Sequence, residues 1–416
     1  MIKYDDFLSR AGAHMQESAI RQMGTVLAQS KDMISFAPGY PAEDQFPWQP
    51  LIEIARDLLA GTDGSVLQYG PTRGYRPLRE ATVDLMRSRG IASAPDRVLI
   101  TTGSQQGLDL VARVLLDPGD VALMELPSYT GAITAFRNVG AALVGVRQEA
   151  DGVNLDHLDH TVTALRSEGR RVKMLYLVPN FQNPTGLLLA LDKRTRLLDW
   201  AARREVLLIE DDPYRDLYFT DVATEADTRP MAADDAEGRV VYLSSFSKTL
   251  APGFRVGWLS APPPLAAKFE LAKQAEDLCT SGLDQRMVYE AWRRGLIEQH
   301  LPTLRAHYQR KRDTMAAAIT THMPGRVRWT SPRGGFFLWA ALTDGLKSRE
   351  VMPFAQARGV IFVDGSAFFV DGTGAEYMRL SYSAPSPGRI EQGVSRLAAA
   401  IEETLLKRTP ASLGTL

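Results

Sequence analysis

Lys248 lies in the segment SSFSKTLAPGFRVGW (244–258), directly after the apolar run VVYLS and among small hydroxyl residues. A lysine taken alone is most often a solvated surface residue. At the end of an apolar strand it loses water, and burial favours the neutral amine, which is the form that attacks a carbonyl. Ser245, Ser247 and Arg255 share the segment, and a guanidinium with two hydroxyls suits a phosphate close to that amine.

Other apolar runs also end in residues able to do chemistry. RVLIT (97–101) leads into Gly103-Ser104-Gln105. LYLVP leads into Asn180 and Asn183, and LLIE leads into Asp211, Asp212 and Tyr214. In open α/β sheets, ligands bind beyond the carboxyl ends of the strands. If these runs are parallel strands, one sheet edge collects a lysine, hydroxyls, carboxylates, amides and a phenol. Gly103-Ser104-Gln105 between a strand and a helix reads either as an anion site at a helix N-terminus or as an ordinary serine-capped turn. The chain contains neither GxxxxGK[ST] nor GxGxxG, so nucleoside triphosphates and dinucleotides lose support.

The elements that must position these residues follow from pattern. RVLIT, VKMLYLV (172–178), VLLIE (206–210), VVYLS (240–244) and RVGWLS (255–260) read as strands. GSQQGLDLVARVLL and LDKRTRLLDWAARR (191–204) read as helices. Apolar strands separated by helices predict a mainly parallel sheet covered on both faces, an α/β architecture. Breakers fall where such a fold turns, at Asp117-Pro118-Gly119-Asp120, Asn183-Pro184-Thr185-Gly186 and Ala251-Pro252-Gly253. A long helical stretch then runs through LIEQHLPTLRAHYQRKRDTMAAAITTHM, followed by strand-like GGFFLWA, VIFVDGS and YMRLSYS. This part predicts a second, smaller α+β domain over 286–416. Residues 1–48 join it, and 49–285 form the large domain.

The 416 residues suit about two domains with a large core, and 48 basic against 49 acidic residues leave a net charge of −1. That balance supplies no field for nucleic acid or an anionic membrane. Cys279 is the only cysteine, which excludes an internal disulfide and a multi-cysteine metal site and fits a cytoplasmic setting. No apolar run reaches the ~20 residues needed to span a bilayer, and the N-terminus lacks the apolar core of a signal peptide. His157 and His160 sit in a polar stretch and read as solvated surface, so no metal site is expected.

The motifs ISFAPGYP, YGPTRGYRPLREA, TTGSQQGLDL, YLVPNFQNPTG, IEDDPYRDLYF, SSFSKTLAPGFRVGW, PRGGFFLW and MRLSYS occur in that order from about residue 20 to 385. Each alone is weak. As a series they resemble the fold-type I, pyridoxal-phosphate-dependent aminotransferases of class I/II, and within them the branch of 2-aminoadipate and kynurenine aminotransferases. The resemblance implies an aspartate-aminotransferase-like fold with a seven-stranded-type large sheet. It also implies pyridoxal 5′-phosphate held by Lys248 as a Schiff base, and ping-pong transfer of an amino group from an L-amino acid to a 2-oxo acid such as 2-oxoglutarate.

The resemblance assigns roles as well. Asp211 would pair with the pyridine nitrogen, though its neighbour Asp212 stays a candidate for that place. Asn183 and Tyr214 would bond the ring hydroxyl oxygen. Ser104, Gln105, Ser245, Ser247 and Arg255 would hold the phosphate, and Tyr129 would stack on the ring. Tyr69 would reach the phosphate of a neighbouring subunit, which implies a homodimer with shared sites. Arg379 would grip the substrate α-carboxylate, with Gly39 closing over it. Arg21, in ESAIRQMG, would face the distal end of an aminoadipate-like or other large polar substrate, or else simply face solvent.

Other classes carry less. Ser245-Phe246-Ser247-Lys248 matches S-x-x-K, but the S-D-N and K-T-G companions of serine β-lactamases are absent. A pyridoxal-phosphate lyase or decarboxylase would share the cofactor residues. Effector-binding transcriptional regulators resembling this branch carry a winged helix-turn-helix before the aminotransferase-like part. A match that begins by about residue 20 leaves no room for one, and DNA binding is not expected.

Overall fold

The computed structural model describes residues 2–15, 32–61 and 63–408. Its strands are β1 (Ile34–Ser35), β2 (Val98–Thr101), β3 (Val121–Leu126), β4 (Ala142–Glu149), β5 (Gly152–Val153), β6 (Val172–Leu177), β7 (Leu207–Asp211), β8 (Val240–Ser245), β9 (Gly257–Ser260), β10 (Val327–Trp329), β11 (Phe337–Leu342), β12 (Val360–Ile361), β13 (Val363–Asp364) and β14 (Tyr377–Ser381).

The large sheet has the order β2-β9-β8-β7-β6-β3-β4-β5. β9 and β5 run antiparallel to their neighbours, and the other six strands are mutually parallel. It is therefore the expected seven-stranded sheet with a two-residue eighth strand added at one edge. β3 and β4 complete it, although their runs stand out less in the sequence. The expected strand at 255–260 begins two residues late. Arg255 adopts the left-handed conformation (φ 52°) after the turn Pro252–Phe254, and the chain becomes extended only at Gly257.

Residue alternation along these strands divides the core. Met124, Tyr176, Ile209 and Leu243 pack on one face of the sheet. Leu123, Leu175, Leu208 and Tyr242 pack on the other. This is the period of two that every strand imposes on its side chains. Both faces are covered by helices, so the strands read as continuous apolar runs rather than as alternating ones.

The smaller sheet, β10-β11-β14-β13, is wholly antiparallel. The helices Leu296–His322, Ser348–Ala357 and Pro387–Arg408 pack together beside it. β1 pairs in parallel with β12, which ties the segment before residue 48 to this part. The expected division at residue 285 falls inside the helix Gly282–Arg293, whose Met287, Val288 and Ala291 are buried in the core of the large sheet. We propose Gly295 as the division instead, since it is the left-handed residue (φ 70°) between that helix and the next. Among the described residues, no helix is long and apolar enough to cross a membrane.

Candidate active site

Parallel β2, β3, β6, β7 and β8 bring their carboxyl ends to one edge. β9, running the other way, starts there. Lys248 follows β8, and its Nζ donates to the Gly39 carbonyl at 3.1 Å. The amine also lies 5.8 Å from the centre of the Tyr214 ring and 5.7 Å from that of Phe336. Loss of water, then the nearby Arg255 and Arg379 charges, lower its pKa from the usual 10.5 to about 8. The neutral nucleophile is therefore available near physiological pH.

The two adjacent acids separate completely. Asp211 shares a face with Ile209, and its Oδ2 accepts from the Tyr176 hydroxyl at 2.8 Å. Its Oδ1 is buried without a partner. Burial pushes this carboxyl up to about 7, and the Asp212 charge adds to that push, while the Tyr176 hydrogen bond and Lys248 oppose it. Asp212 points to the opposite face, where Asn180 Nδ2 donates to Oδ1 at 2.8 Å and the Tyr242 hydroxyl to Oδ2 at 3.0 Å. Asp211 thus faces the site and Asp212 is filled. Asn180 goes with Asp212 and also accepts from Arg194 Nη2 at 2.9 Å, so it does not reach the site.

Asn183 stands on the N-terminal side of the cis Asn183-Pro184 bond and is 5% exposed. It shares a hydrogen bond with the Tyr214 phenol, whose own pKa burial raises far above the usual tyrosine range. Its Oδ1 also accepts from Arg379 Nη1 at 2.8 Å. Arg379 projects from β14 of the smaller sheet and is only 1% exposed. Its Nη2 donates to the Ala37 carbonyl, its Nε has no partner, and its guanidinium lies over Phe337 (4.4 Å) and Phe368 (5.1 Å). Among the described residues no carboxylate pairs with it, and burial lowers its pKa to about 10. A buried cation without a counter-ion is costly, and its planar fork matches a carboxylate.

The anion cup forms at the start of the helix Ser104–Leu115. Gly103 takes φ 78°, and a Cβ there would stand 2.6 Å from Arg255 Nη2, so only glycine lets the guanidinium close over this turn. Arg255 Nη2 donates to the Thr102 carbonyl at 3.2 Å. The Ser104 hydroxyl is buried and without a partner. Ser245 Oγ accepts from the Ser247 amide at 3.0 Å and donates to the Ser247 hydroxyl at 2.8 Å. Gln105 donates to the Gly131 carbonyl at 3.0 Å and accepts from the Tyr129 hydroxyl at 3.3 Å, which places Tyr129 at the rim.

Three further expectations concern Gly39, Tyr69 and Arg21. Gly39 packs against Phe337, and a Cβ on it would lie 2.5 Å from Phe337 Cζ. Tyr69 stands apart, 79% exposed. Arg21 lies outside the described residues. Sequence reasoning missed Tyr176. Nothing local marks it, because its relation to Asp211 depends on which residues of β6 and β7 stand side by side.

The unpartnered Asp211 Oδ1, Ser104 Oγ and Arg379 Nε, with Lys248 near enough to feel the Asp211 and Arg379 charges, suit a group bearing a basic ring nitrogen, a carbonyl and a phosphate, beside a carboxylate substrate. Fold and site together define a fold-type I enzyme of the aspartate-aminotransferase kind. Residues 31–397 match the family model "Aminotransferase class I and II", and the chain belongs to that pyridoxal-phosphate-dependent family.

The chain is 37% identical over 98% of its length to aromatic-amino-acid aminotransferase 1 of Thermococcus litoralis, 96% of which is covered. Its fold is similar to the multiple substrate aminotransferase of Thermococcus profundus, with TM-score 0.91 and 38% identity over 98% of this chain and 100% of that one. It is likewise similar to the alpha-aminoadipate aminotransferase of Thermus thermophilus in complex with N-(5′-phosphopyridoxyl)-L-leucine, with TM-score 0.88 and 38% identity over 98% and 100%.

Proposed function

We propose that this aminotransferase holds pyridoxal 5′-phosphate through Lys248 and transfers the amino group of an L-amino acid to a 2-oxo acid, with 2-oxoglutarate as acceptor. The observation that carries the residue assignment is the pair of buried, unpartnered atoms, Asp211 Oδ1 and Arg379 Nε, on two residues whose charges both act on a low-pKa lysine. When bound, the cofactor supplies an electron sink for the charge left when the substrate loses its α-proton.

The chain's own residues do the rest. Ser104, Gln105, Ser245, Ser247 and Arg255 hold the phosphate. Asp211 keeps a proton on the ring nitrogen. Asn183 and Tyr214 hold the ring oxygen, and Tyr129 covers the ring. Arg379 and Asn183 orient the substrate carboxylate, with the Gly39 segment above it. Lys248 would move the α-proton, as general base and then acid.

The substrate reading is broad: aminoadipate-like, aromatic or kynurenine-like amino acids. The relatives named for aromatic, multiple and aminoadipate substrates support it. Arg21 is retained as a candidate contact to the distal group. A homodimer, in which Tyr69 would serve another subunit's phosphate, is supported by the exposure of Tyr69 and of the neighbouring Leu67, 76% exposed. The single cysteine supports a cytoplasmic setting.

The test is spectroscopic. Purified protein given pyridoxal phosphate should develop the visible absorption of a lysine-bound cofactor. L-amino acids should bleach that band and 2-oxoglutarate should restore it. A protein that binds no cofactor would sink the proposal.

A further inference from the structure

We propose that Tyr176 is a positioning residue for the reaction: it holds Oδ2 of Asp211 so that Oδ1 is presented, charged, to the ring nitrogen of the bound cofactor. The inference rests on the cofactor assignment above and adds a residue to it.

On parallel β6 and β7, Tyr176 stands beside Ile209, and Asp211 lies two residues further along the same face. Such diagonal neighbours are within reach of a long aromatic side chain. Tyr176 is 0% exposed, and its ring packs edge-on against Phe136 at 5.7 Å and 77°. The ring therefore has one place to be, and from it the hydroxyl donates to Asp211 Oδ2 at 2.8 Å. Burial, then the Asp211 charge, hold the phenol far above its ordinary pKa, so it stays a donor.

A carboxylate turns easily about its last torsion, which has no sharp staggered wells. One strong hydrogen bond stops that rotation and fixes where the second oxygen points. It also favours the ionised form, since a donor to a carboxylate stabilises the charge. Both effects are needed here, because burial otherwise drives Asp211 towards neutrality. Asp212 provides the contrast on the other face. Tyr242 donates to it in the same way, but Asn180 donates to its second oxygen, and neither oxygen is left without a partner. Tyr176 satisfies one oxygen of Asp211 and leaves the other unpartnered.

The test uses holoenzyme loaded with pyridoxal phosphate carrying 15N in the ring. Wild type, Tyr176→Phe, and a protein with 4-aminophenylalanine at position 176, a weaker donor of similar shape, are compared. The ring-nitrogen signal should be most protonated in wild type, intermediate with the amine, and least protonated in the Phe variant. In Tyr176→Phe, cofactor affinity should fall about tenfold, the scale of a lost hydrogen bond to a charged group. kcat should fall at least tenfold with KM within about twofold. A role in packing alone would leave the nitrogen signal unmoved.

Circular dichroism of the cofactor-free proteins checks folding. If the Phe variant does not fold, the wild-type and amine proteins alone decide the order. Equal nitrogen signals across the folded proteins overturn the proposal while leaving the cofactor assignment standing. Failure of wild type to bind the cofactor overturns both.

Discussion

Asp211 and Asp212 are consecutive in the chain, yet they lie on opposite faces of the large sheet and meet different tyrosines: Tyr176 at 2.8 Å and Tyr242 at 3.0 Å. One acid is left with an open oxygen and the other with none. That difference favours Asp211 over Asp212 for the proposed ring-nitrogen role, and it leads to a prediction about stability as well as about binding.

Asp211 titrates near 7 in the cofactor-free protein, against 3.8 ordinarily. Between those values the folded chain binds the extra proton, so its stability falls as pH rises from about 4 to about 7. Above 7 the carboxylate is charged, buried and short of partners. Asp211→Asn should therefore raise the melting temperature of the cofactor-free protein at pH 8. The free-energy gain should be on the order of 2–4 kcal/mol, the scale of a pKa displaced by about three units. The gain should vanish near pH 4, and cofactor affinity should fall at every pH. Melting curves of both proteins at the two pH values check this. A variant less stable than wild type at pH 8 contradicts it.

Lys248 should react with pyridoxal phosphate along a pH curve centred near 8 rather than near the usual 10.5, because only the neutral amine attacks. Its lowered pKa has the opposite linkage to that of Asp211. Between about 8 and 10.5 the unfolded chain binds more protons, so this group adds stability as pH rises through that window. Stopped-flow rates of cofactor attachment measure the curve. Lys248→Ala should abolish the visible band and lower turnover by about 10³-fold or more, the scale of a lost general base.

Arg379 is buried, and no carboxylate pairs with it among the described residues. Arg379→Ala should lower kcat/KM by about 10²–10³-fold, mainly through KM, as expected when a buried charged contact loses one partner. Arg379→Lys should recover little, because a point charge cannot reproduce the fork that also reaches Asn183 and Ala37. Steady-state kinetics with amino acids, compared with the corresponding amines lacking the carboxylate, separates carboxylate binding from a general loss of structure.

Gly39 has no room for a side chain, since a Cβ would meet Phe337 Cζ at 2.5 Å. Gly39→Ala should leave the protein folded at a cost of about 1–3 kcal/mol, the usual scale of overpacking. It should also shift the segment whose carbonyl Lys248 engages. The expected result is a tenfold or greater loss in kcat/KM with the cofactor band retained. Unchanged kinetics would show that the segment does not close on substrate.

In the proposed homodimer, Tyr69 would belong to another subunit's phosphate cup. Sedimentation should give twice the chain mass at micromolar concentration. Tyr69→Phe should raise the dissociation constant for pyridoxal phosphate about tenfold without changing the melting temperature of the cofactor-free protein. A monomer with unaltered Phe-variant affinity rules this out.

Much of this protein is decided along the chain itself. Apolar runs that end in Ser104, Asn183, Asp211, Ser245 and Lys248, with helices between them, place those residues at one sheet edge. A strand's direction and the turn after it are local properties, set by β-branched residues, glycine and proline. The helix Leu191–Arg204 and the turn at Gly103 follow from pattern in the same way.

The tertiary structure decided what local pattern cannot encode. The face on which Asp211 lies, the diversion of Asn180 to the Asp212 network, and the reach of Arg379 from β14 to Asn183 on the large domain all depend on register and on packing between distant segments. So does Tyr176. Its period-two position is readable, but its neighbour on β7 is set only when the sheet assembles, because one residue of slip would turn the same tyrosine to the other face.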